Sequence, residues 1–396
     1  NRYGARNSYS ACYVNPNATC PVCGASVFYY RNEHGSSVYF DGLGHPWPKH
    51  PCTDNTSVRE TSSRSTGSPT RRILGLTKEL LENGFTVRGT VRNLRKANEV
   101  NDTLKKANVD TSKLSIVELD LTSSEGWDEA IEGCDYVMHV ASPFAIAEPK
   151  HEDEMIIPAV EGTLTVLRAA QKAKVKRVVL TSSTITMMAT MKTGTFGPDA
   201  WTDIETGIVG TYTKSKVLAE KAAWEFYNNQ SGDKKIELVS IHPGGVFGPP
   251  LGNDISGQAM TMIDQMLKGK VPMMADVAIP MVDVRDIAKL HVQALTQDNV
   301  SGKRVIAAIA EATRLVDIAQ ILKDEGYKKP STRIAPNFLL RIMAFFDNEA
   351  KGMIGMLNMH VSADTSQTVE LFDWKPRPFS QSVIETALAI KKISKL

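Results

Sequence analysis

Long apolar runs are missing from this chain of 396 residues. None approaches the roughly 18 consecutive apolar residues of a membrane-spanning helix, which argues against a membrane partner. A charge excess of either sign is also missing. The formal net charge is only +2, too little for a nucleic-acid-binding stripe or a membrane-surface patch. No secretory signal pattern is present, and the expected compartment is cytoplasmic; the first residue is Asn1 rather than Met, so the start reads as that of a fragment. No internal repeat is visible, which excludes a solenoid. Cysteine is scarce and unevenly placed: Cys12, Cys20, Cys23 and Cys52 lie near the start, and Cys134 stands alone. That skew points to metal rather than disulfides. What is present, 42% hydrophobic and 23% charged residues, suits a globular enzyme with a sizeable core. The length fits two or three domains, or one large α/β unit with an appendage.

The cysteine-bearing part comes first. Cys20-Pro-Val-Cys23-Gly places two thiolates three residues apart on a tight turn. Two short aromatic strands follow, Val27 to Tyr30 and Val38 to Phe40, and then Trp47-Pro-Lys-His50-Pro-Cys52. Cys20, Cys23, His50 and Cys52 together make a closed four-ligand set for a structural zinc ion, the staple a module with so few apolar residues needs. The segment resembles the small zinc-ribbon-like module of some bacterial proteins. The competing reading is a leader with incidental cysteines.

The chemistry lies farther on. Tyr212-Thr-Lys-Ser-Lys216 sits in a helical pattern, so the phenol and the ammonium, four residues apart, share a face. A phenol ionises near pH ~10, and a cation held beside it lowers that value enough for general acid–base work. Arg177-Val-Val-Leu-Thr-Ser-Ser183 reads as a buried strand that delivers Ser183 to its C-terminal edge, where open α/β sheets bind ligands. A hydroxyl, an acid and a cation in one place suit proton delivery to a carbonyl oxygen.

With these motifs in hand, residues from about 66 to the end resemble an extended short-chain dehydrogenase/reductase. The similarity is to the group holding dihydroflavonol reductases, cinnamoyl-CoA reductases and NADPH-dependent aldehyde reductases. It rests on Lys78 to Gly84, Val87 to Arg92, His139 to Pro143, Thr181 to Ser183, Tyr212 to Lys216, His242 to Pro249 and Val282 to Asp286, in that order. The resemblance implies a Rossmann-like, doubly wound parallel sheet with a smaller C-terminal substrate lobe. It implies Ser183, Tyr212 and Lys216 as catalytic residues, NADP(H) as cofactor and a small-molecule carbonyl compound as substrate. Arg92, with Lys96 four residues on, stands where an acidic residue would select NAD, and an Arg there favours a 2′-phosphate. Asp120-Leu121 matches the adenine-contacting pair, Ala141-Ser142 the stretch beside the nicotinamide ribose, and Thr181 and Pro243 the loops over the cofactor. The stretch from Met187 to Gly210 is expected to be irregular and to line the substrate pocket. Met273, Met274, Met353, Met356 and Met359 are read as core filler.

One junction departs from the pattern. Residues 54 to 72 are rich in Ser, Thr and Arg and read as a polar linker. The family opens instead with an apolar strand and a three-glycine turn whose backbone N–H groups approach a pyrophosphate. Gly67 stands at the first glycine; Thr70 and Ile73 occupy the second and third positions. The expected domains are therefore a zinc-ribbon-like module at 1–57, a polar linker or degenerate first strand at 58–72, a dinucleotide-binding domain at 73–250 and a substrate lobe at 251–396. The main reading is NADPH-dependent reduction of an aldehyde or ketone. Two alternatives stand beside it: a nucleotide-sugar epimerase or dehydratase, which uses the same triad, and a catalytically impaired chimeric chain.

Overall fold

The computed structural model describes residues 13–19, 26–31, 37–40, 70–123, 125–142, 148–206, 209–232 and 235–394. Cys20, Cys23, His50, Cys52 and Gly67, and with them the zinc set and the first glycine, lie outside the described residues. The chain divides into two compact units, Asn1–Ser65 and Thr66–Leu396.

In the first unit β1 (Tyr13–Thr19), β2 (Ser26–Arg31) and β3 (Ser37–Phe40) form an antiparallel sheet in that order. The β2–β3 pair is the one its aromatic alternation predicts, with Phe28 opposite Phe40 and Tyr30 opposite Val38. β1 is an addition. Its Asn15-Pro16-Asn17 core reads as a turn, and the strand tolerates it because β1 is an edge whose register shifts between Asn15 and Ala18.

The second unit opens with α1 (Thr70–Glu82), which ends where Gly84 takes φ 85° and its N–H donates to the Leu81 carbonyl. Strands and helices then alternate: β4 (Val87–Val91), α2 (Arg95–Lys106), β5 (Leu114–Glu118), α3 (Trp127–Ile131), β6 (Tyr136–His139), α4 (Asp153–Lys172) and β7 (Arg177–Thr181). After α5 (Ile185–Met188) and β8 (Thr193–Phe196) come α6 (Thr211–Asn228), β9 (Glu237–Pro243), β10 (Gly245–Phe247), α7 (Gln258–Lys268), β11 (Val277–Asp283), α8 (Val284–Thr296) and β12 (Lys303–Ala307). The chain closes with β13 (Ala312–Arg314), α9 (Leu315–Asp324), α10 (Asn337–Met343), α11 (Asn348–Met353), β14 (Met359–Ala363), α12 (Ser366–Phe372) and α13 (Phe379–Ser394).

Alternation of this kind demands a parallel sheet covered on both faces. Strands β6, β7, β9 and β12 pair in parallel in the order β12-β9-β7-β6, and all five residues of β7 are buried. Trp127, Val166, Leu167 and Ala223 from α3, α4 and α6 cover Val178, Leu180 and Leu238. Leu290 and Ala294 of α8 join Val179, Val239 and Ile241 in a second cluster. The Rossmann-like, doubly wound expectation therefore holds. Among the described residues β4-β5 and β12-β9-β7-β6 nevertheless form separate ladders, because β4 pairs only with β5 and β6 only with β7. The strands at that break are poorly covered: within β4 only Val87 is buried, and within β6 only His139. Arg88 of β4 donates to the Ala130 and Glu132 carbonyls at 3.0 and 2.8 Å, tying that ladder to the end of α3.

The smaller lobe has its own sheet, β10-β11-β14-β8 with β13 on β11, packed by Met260, Ile263, Leu322 and Val383 of α7, α9 and α13. The stretch from Met187 to Gly210 is more ordered than its sequence implies. β8 pairs in parallel with β14, from Thr193 opposite His360 to Phe196 opposite Ala363. A four-residue strand holding a glycine at φ 105° and one buried side chain carries almost no periodic signal. Of the five methionines, Met274 and Met359 are core, and Met273, Met353 and Met356 are half-buried. Among the described residues no helix is long and apolar enough to cross a membrane.

Candidate active site

The C-terminal edge of β6, β7 and β9 carries Ala141, Ser142, Thr181, Ser183 and Pro243 from among the predicted catalytic and cofactor residues. β7 ends at Thr181, and Ser182 and Ser183 follow directly. Ser183 Oγ accepts the Ile185 N–H at 3.3 Å, which holds the turn into α5. The Thr184 N–H and hydroxyl both donate to the Pro243 carbonyl, at 3.1 and 3.2 Å, so the ends of β7 and β9 are tied together.

Helix α6 brings the other two residues. Its first N–H groups lack partners within the helix, and the Glu148 carboxylate supplies one. That carboxylate accepts the Thr211 N–H at 3.1 Å and the Thr211 hydroxyl at 2.5 Å. One turn on, Lys214 pairs with Glu152 at 2.7 Å. Tyr212 is half-buried and Lys216 buried, as the four-residue spacing requires of one face turned inward. Lys216 Nζ donates to the Thr181 carbonyl at 3.4 Å. The ammonium thus stands at the edge that carries Ser183.

Two buried histidines flank that ammonium and the strand end. Burial first, then the charge of Lys216, pushes His139 down to about 4, so it adds no second cation beside the lysine. Its Nε2 lies 3.4 Å from the Thr163 hydroxyl. His291, held at about 4 by burial, has Nδ1 2.9 Å from the Ile287 carbonyl and Nε2 2.8 Å from the Thr181 hydroxyl. The carbonyl fixes the proton on Nδ1, so Nε2 accepts from Thr181. Thr181 therefore turns its hydroxyl to α8 and its carbonyl to Lys216. Ala141 and Ser142, half-buried, follow β6 at this same edge. A small apolar cavity lined by Leu76, Val140, Thr181, Pro243 and His291 adjoins it.

The residues read as adenine-side contacts stand on the other ladder. Arg92 and Lys96 are exposed just after β4. The Asp120 carboxylate accepts the Thr122 N–H and hydroxyl at 2.8 Å each, and these bonds, more than the charge of Arg92, hold it below the usual carboxylate range. Leu121 packs against Gly162 of α4, where an added Cβ would stand 2.6 Å from its Cγ.

Three residues at the site were not foreseen: Glu148, His139 and Glu220. Glu148 carries no local signal, since it acts 63 residues away. His139 ends a strand at the sheet's ligand-binding edge, and Glu220 continues the Tyr212–Lys216 face by one turn. Those two were open to a sequence argument.

The NAD dependent epimerase/dehydratase family model matches residues 75–308, and the chain belongs to that family. Anthocyanidin reductase ((2S)-flavan-3-ol-forming) of Vitis vinifera is 32% identical over 274 residues, 65% of this chain and 79% of that protein. Cinnamoyl-CoA reductase 1 of Arabidopsis thaliana is 35% identical over 243 residues, 59% of this chain and 67% of the relative. Among solved structures, yeast methylglyoxal/isovaleraldehyde reductase Gre2 complexed with NADPH superposes with TM-score 0.69 at 24% identity. The match covers 83% of this chain and 98% of that one, a likeness of fold.

Proposed function

We propose that this chain is an NADPH-dependent reductase of a small aldehyde or ketone, working through Ser183, Tyr212 and Lys216. The observation that carries the reading is the Lys216 ammonium at 3.4 Å from the Thr181 carbonyl, which sets the Tyr-x-x-x-Lys face against the strand end bearing Ser183. Relatives named for reduction of anthocyanidins and of cinnamoyl-CoA support reduction over epimerisation.

A buried cation, a half-buried phenol and a free sheet edge fit the nicotinamide ribose, and the exposed Arg92 fits a 2′-phosphate. A bound nicotinamide supplies the hydride. The protein's share is position and proton transfer. Ser183 Oγ donates to the substrate oxygen, Tyr212 Oη gives that oxygen its proton, and the Lys216 ammonium lowers the phenol's pKa while binding the ribose. Neutral His139 puts no second positive charge beside Lys216.

The test is Tyr212→Phe, with NADPH oxidation followed against a panel of aldehydes and ketones. We expect kcat to fall at least ~100-fold with cofactor affinity nearly unchanged, because only the proton donor is lost. Retention of most activity would end the catalytic reading. Arg92→Asp is expected to erase a preference for NADPH over NADH. For the first unit we propose one structural zinc on Cys20, Cys23, His50 and Cys52, a donor set typical of such sites. The β2–β3 pair falls between the two ligand pairs in sequence. Metal analysis of the purified protein, finding one equivalent or none, decides it.

A further inference from the structure

Glu220 follows Lys216 by one helical turn, so Tyr212, Lys216 and Glu220 lie on one face of α6. Its side chain is 1% exposed, an expensive place for a carboxylate unless it is fully paired. Every partner is present. Oε2 accepts the Ser182 hydroxyl at 2.6 Å. Oε1 accepts Arg304 Nε at 2.7 Å and Trp224 Nε1 at 3.1 Å, and lies 2.8 Å from His242 Nε2. Burial pulls the acid toward its neutral form, but His242 and then Arg304 outweigh it, and the carboxyl is held far below the usual range. His242 Nδ1 is buried with no partner among the described residues, so the ring proton belongs on Nε2, facing Glu220.

This cluster ties the end of β7 to the stretch that follows β8. Arg304 donates to the Pro198 and Ala200 carbonyls at 2.7 and 2.6 Å, and its guanidinium stacks 3.8 Å from the Trp201 ring centroid. On the other side the Ser182 N–H donates to the Ile241 carbonyl at 2.8 Å, while its hydroxyl reaches Glu220. Ser182 is thereby fixed through both backbone and side chain, and Ser183 is the next residue. Arg304 alone would balance the charge of Glu220. The bond to Ser182 adds nothing to neutrality; what it adds is a fixed place for the peptide that carries Ser183.

We infer that Glu220 is a positioning residue for carbonyl reduction, acting through Ser182 to set Ser183 Oγ against the Tyr212–Lys216 face. The inference rests on the reductase reading above. Replacing Glu220 would strand the Arg304 charge, so the decisive variant is Ser182→Ala, which removes one hydrogen bond and leaves the ion pair intact. Its kcat is expected to fall about ten-fold, with the KM for NADPH within about two-fold and the melting temperature unchanged. Ser182→Thr, which keeps the hydroxyl, should recover most of that loss. In a Ser183→Ala background, Ser182→Ala should cost nothing further, because the group it positions is gone. Amide hydrogen exchange, which needs no activity, should quicken in residues 181–189 alone. Unchanged kcat and exchange in Ser182→Ala, or additive losses in the double variant, would overturn the inference while leaving the reductase reading in place. A wild-type rate equal to that of Tyr212→Phe would instead overturn the reductase reading and this role with it.

Discussion

Glu148 holds the first turn of α6: its carboxylate accepts both the Thr211 N–H and the Thr211 hydroxyl, at 3.1 and 2.5 Å. Thr211 immediately precedes Tyr212, so a carboxylate following β6 fixes where the proposed proton donor begins its helix. The approach is close, since a Cβ on Gly210 would stand 2.7 Å from Glu148 Oε1. Removing a helix-capping acceptor costs roughly 0.5–2 kcal/mol. Glu148→Ala is therefore expected to lower the melting temperature by a few degrees and to reduce kcat more than KM. Glu148→Gln, which retains one acceptor, should sit between the two. A Glu148→Ala protein with wild-type kcat would show that the cap is purely structural.

Gly244, between β9 and β10, stands hard against the backbone of β11. An added Cβ there would meet the Pro280 carbonyl oxygen at 2.3 Å and its carbon at 3.0 Å, both backbone atoms. At Gly162 the neighbour is the Leu121 side chain, which has rotamers to yield with. Gly244→Ala should destabilise by roughly 3 kcal/mol or fail to accumulate folded, whereas Gly162→Ala should cost roughly 1 kcal/mol. Urea unfolding of the two variants measures the order, and equal costs would contradict the packing argument.

The two buried histidines make stability fall in mild acid. His139 and His291 protonate near 4 in the folded chain and at 6.5 as free side chains. Between those values the unfolded chain binds more protons, so stability is full above about 6.5 and drains away as pH drops toward 4. Each shift corresponds to roughly 3 kcal/mol at its limit, and at pH 5 to about 2 kcal/mol. His291→Gln can still accept from Thr181, and it should lose about 2 kcal/mol less than wild type between pH 7.5 and pH 5. Equal losses in urea titrations at the two pH values would show that His291 is not kept neutral.

The sequence made the second unit's order legible wherever period and punctuation agree. The fully buried run Arg177 to Thr181, the cap at Asn83-Gly84 and the Tyr212–Lys216 spacing each appear as written. The hidden parts are those built by distant partners. β8 is a strand only because β14, more than 160 residues on, offers it a ladder. Glu148 caps α6 from 63 residues away. Arg304, a charge within β12, finds its buried partner in Glu220, 84 residues away on α6, and nothing local to either residue announces the pair.

The dinucleotide is expected to bind this chain weakly. The family turn places glycines where this chain has Thr70 and Ile73, and α1 already begins at Thr70. A side chain in place of either glycine is expected to keep the backbone from the close approach to a pyrophosphate that glycine permits. The described parallel strands also break between β4 and β6, where both ladders carry half-exposed residues that a central strand would cover. Each hydrogen bond to a charged phosphate that goes unmade forfeits about 1.5–3 kcal/mol, so two of them weaken binding roughly a hundred-fold or more. Replacing residues 58–73 with an apolar strand and a three-glycine turn should then tighten NADPH binding by about that factor. The melting temperature should rise as well, because the new strand gives β4 and β6 pairing and cover. Fluorescence titration of NADPH against both proteins is the measurement. Micromolar binding by the unaltered chain, with no gain in the repaired one, would show that residues 58–73 already provide what the glycine turn provides elsewhere.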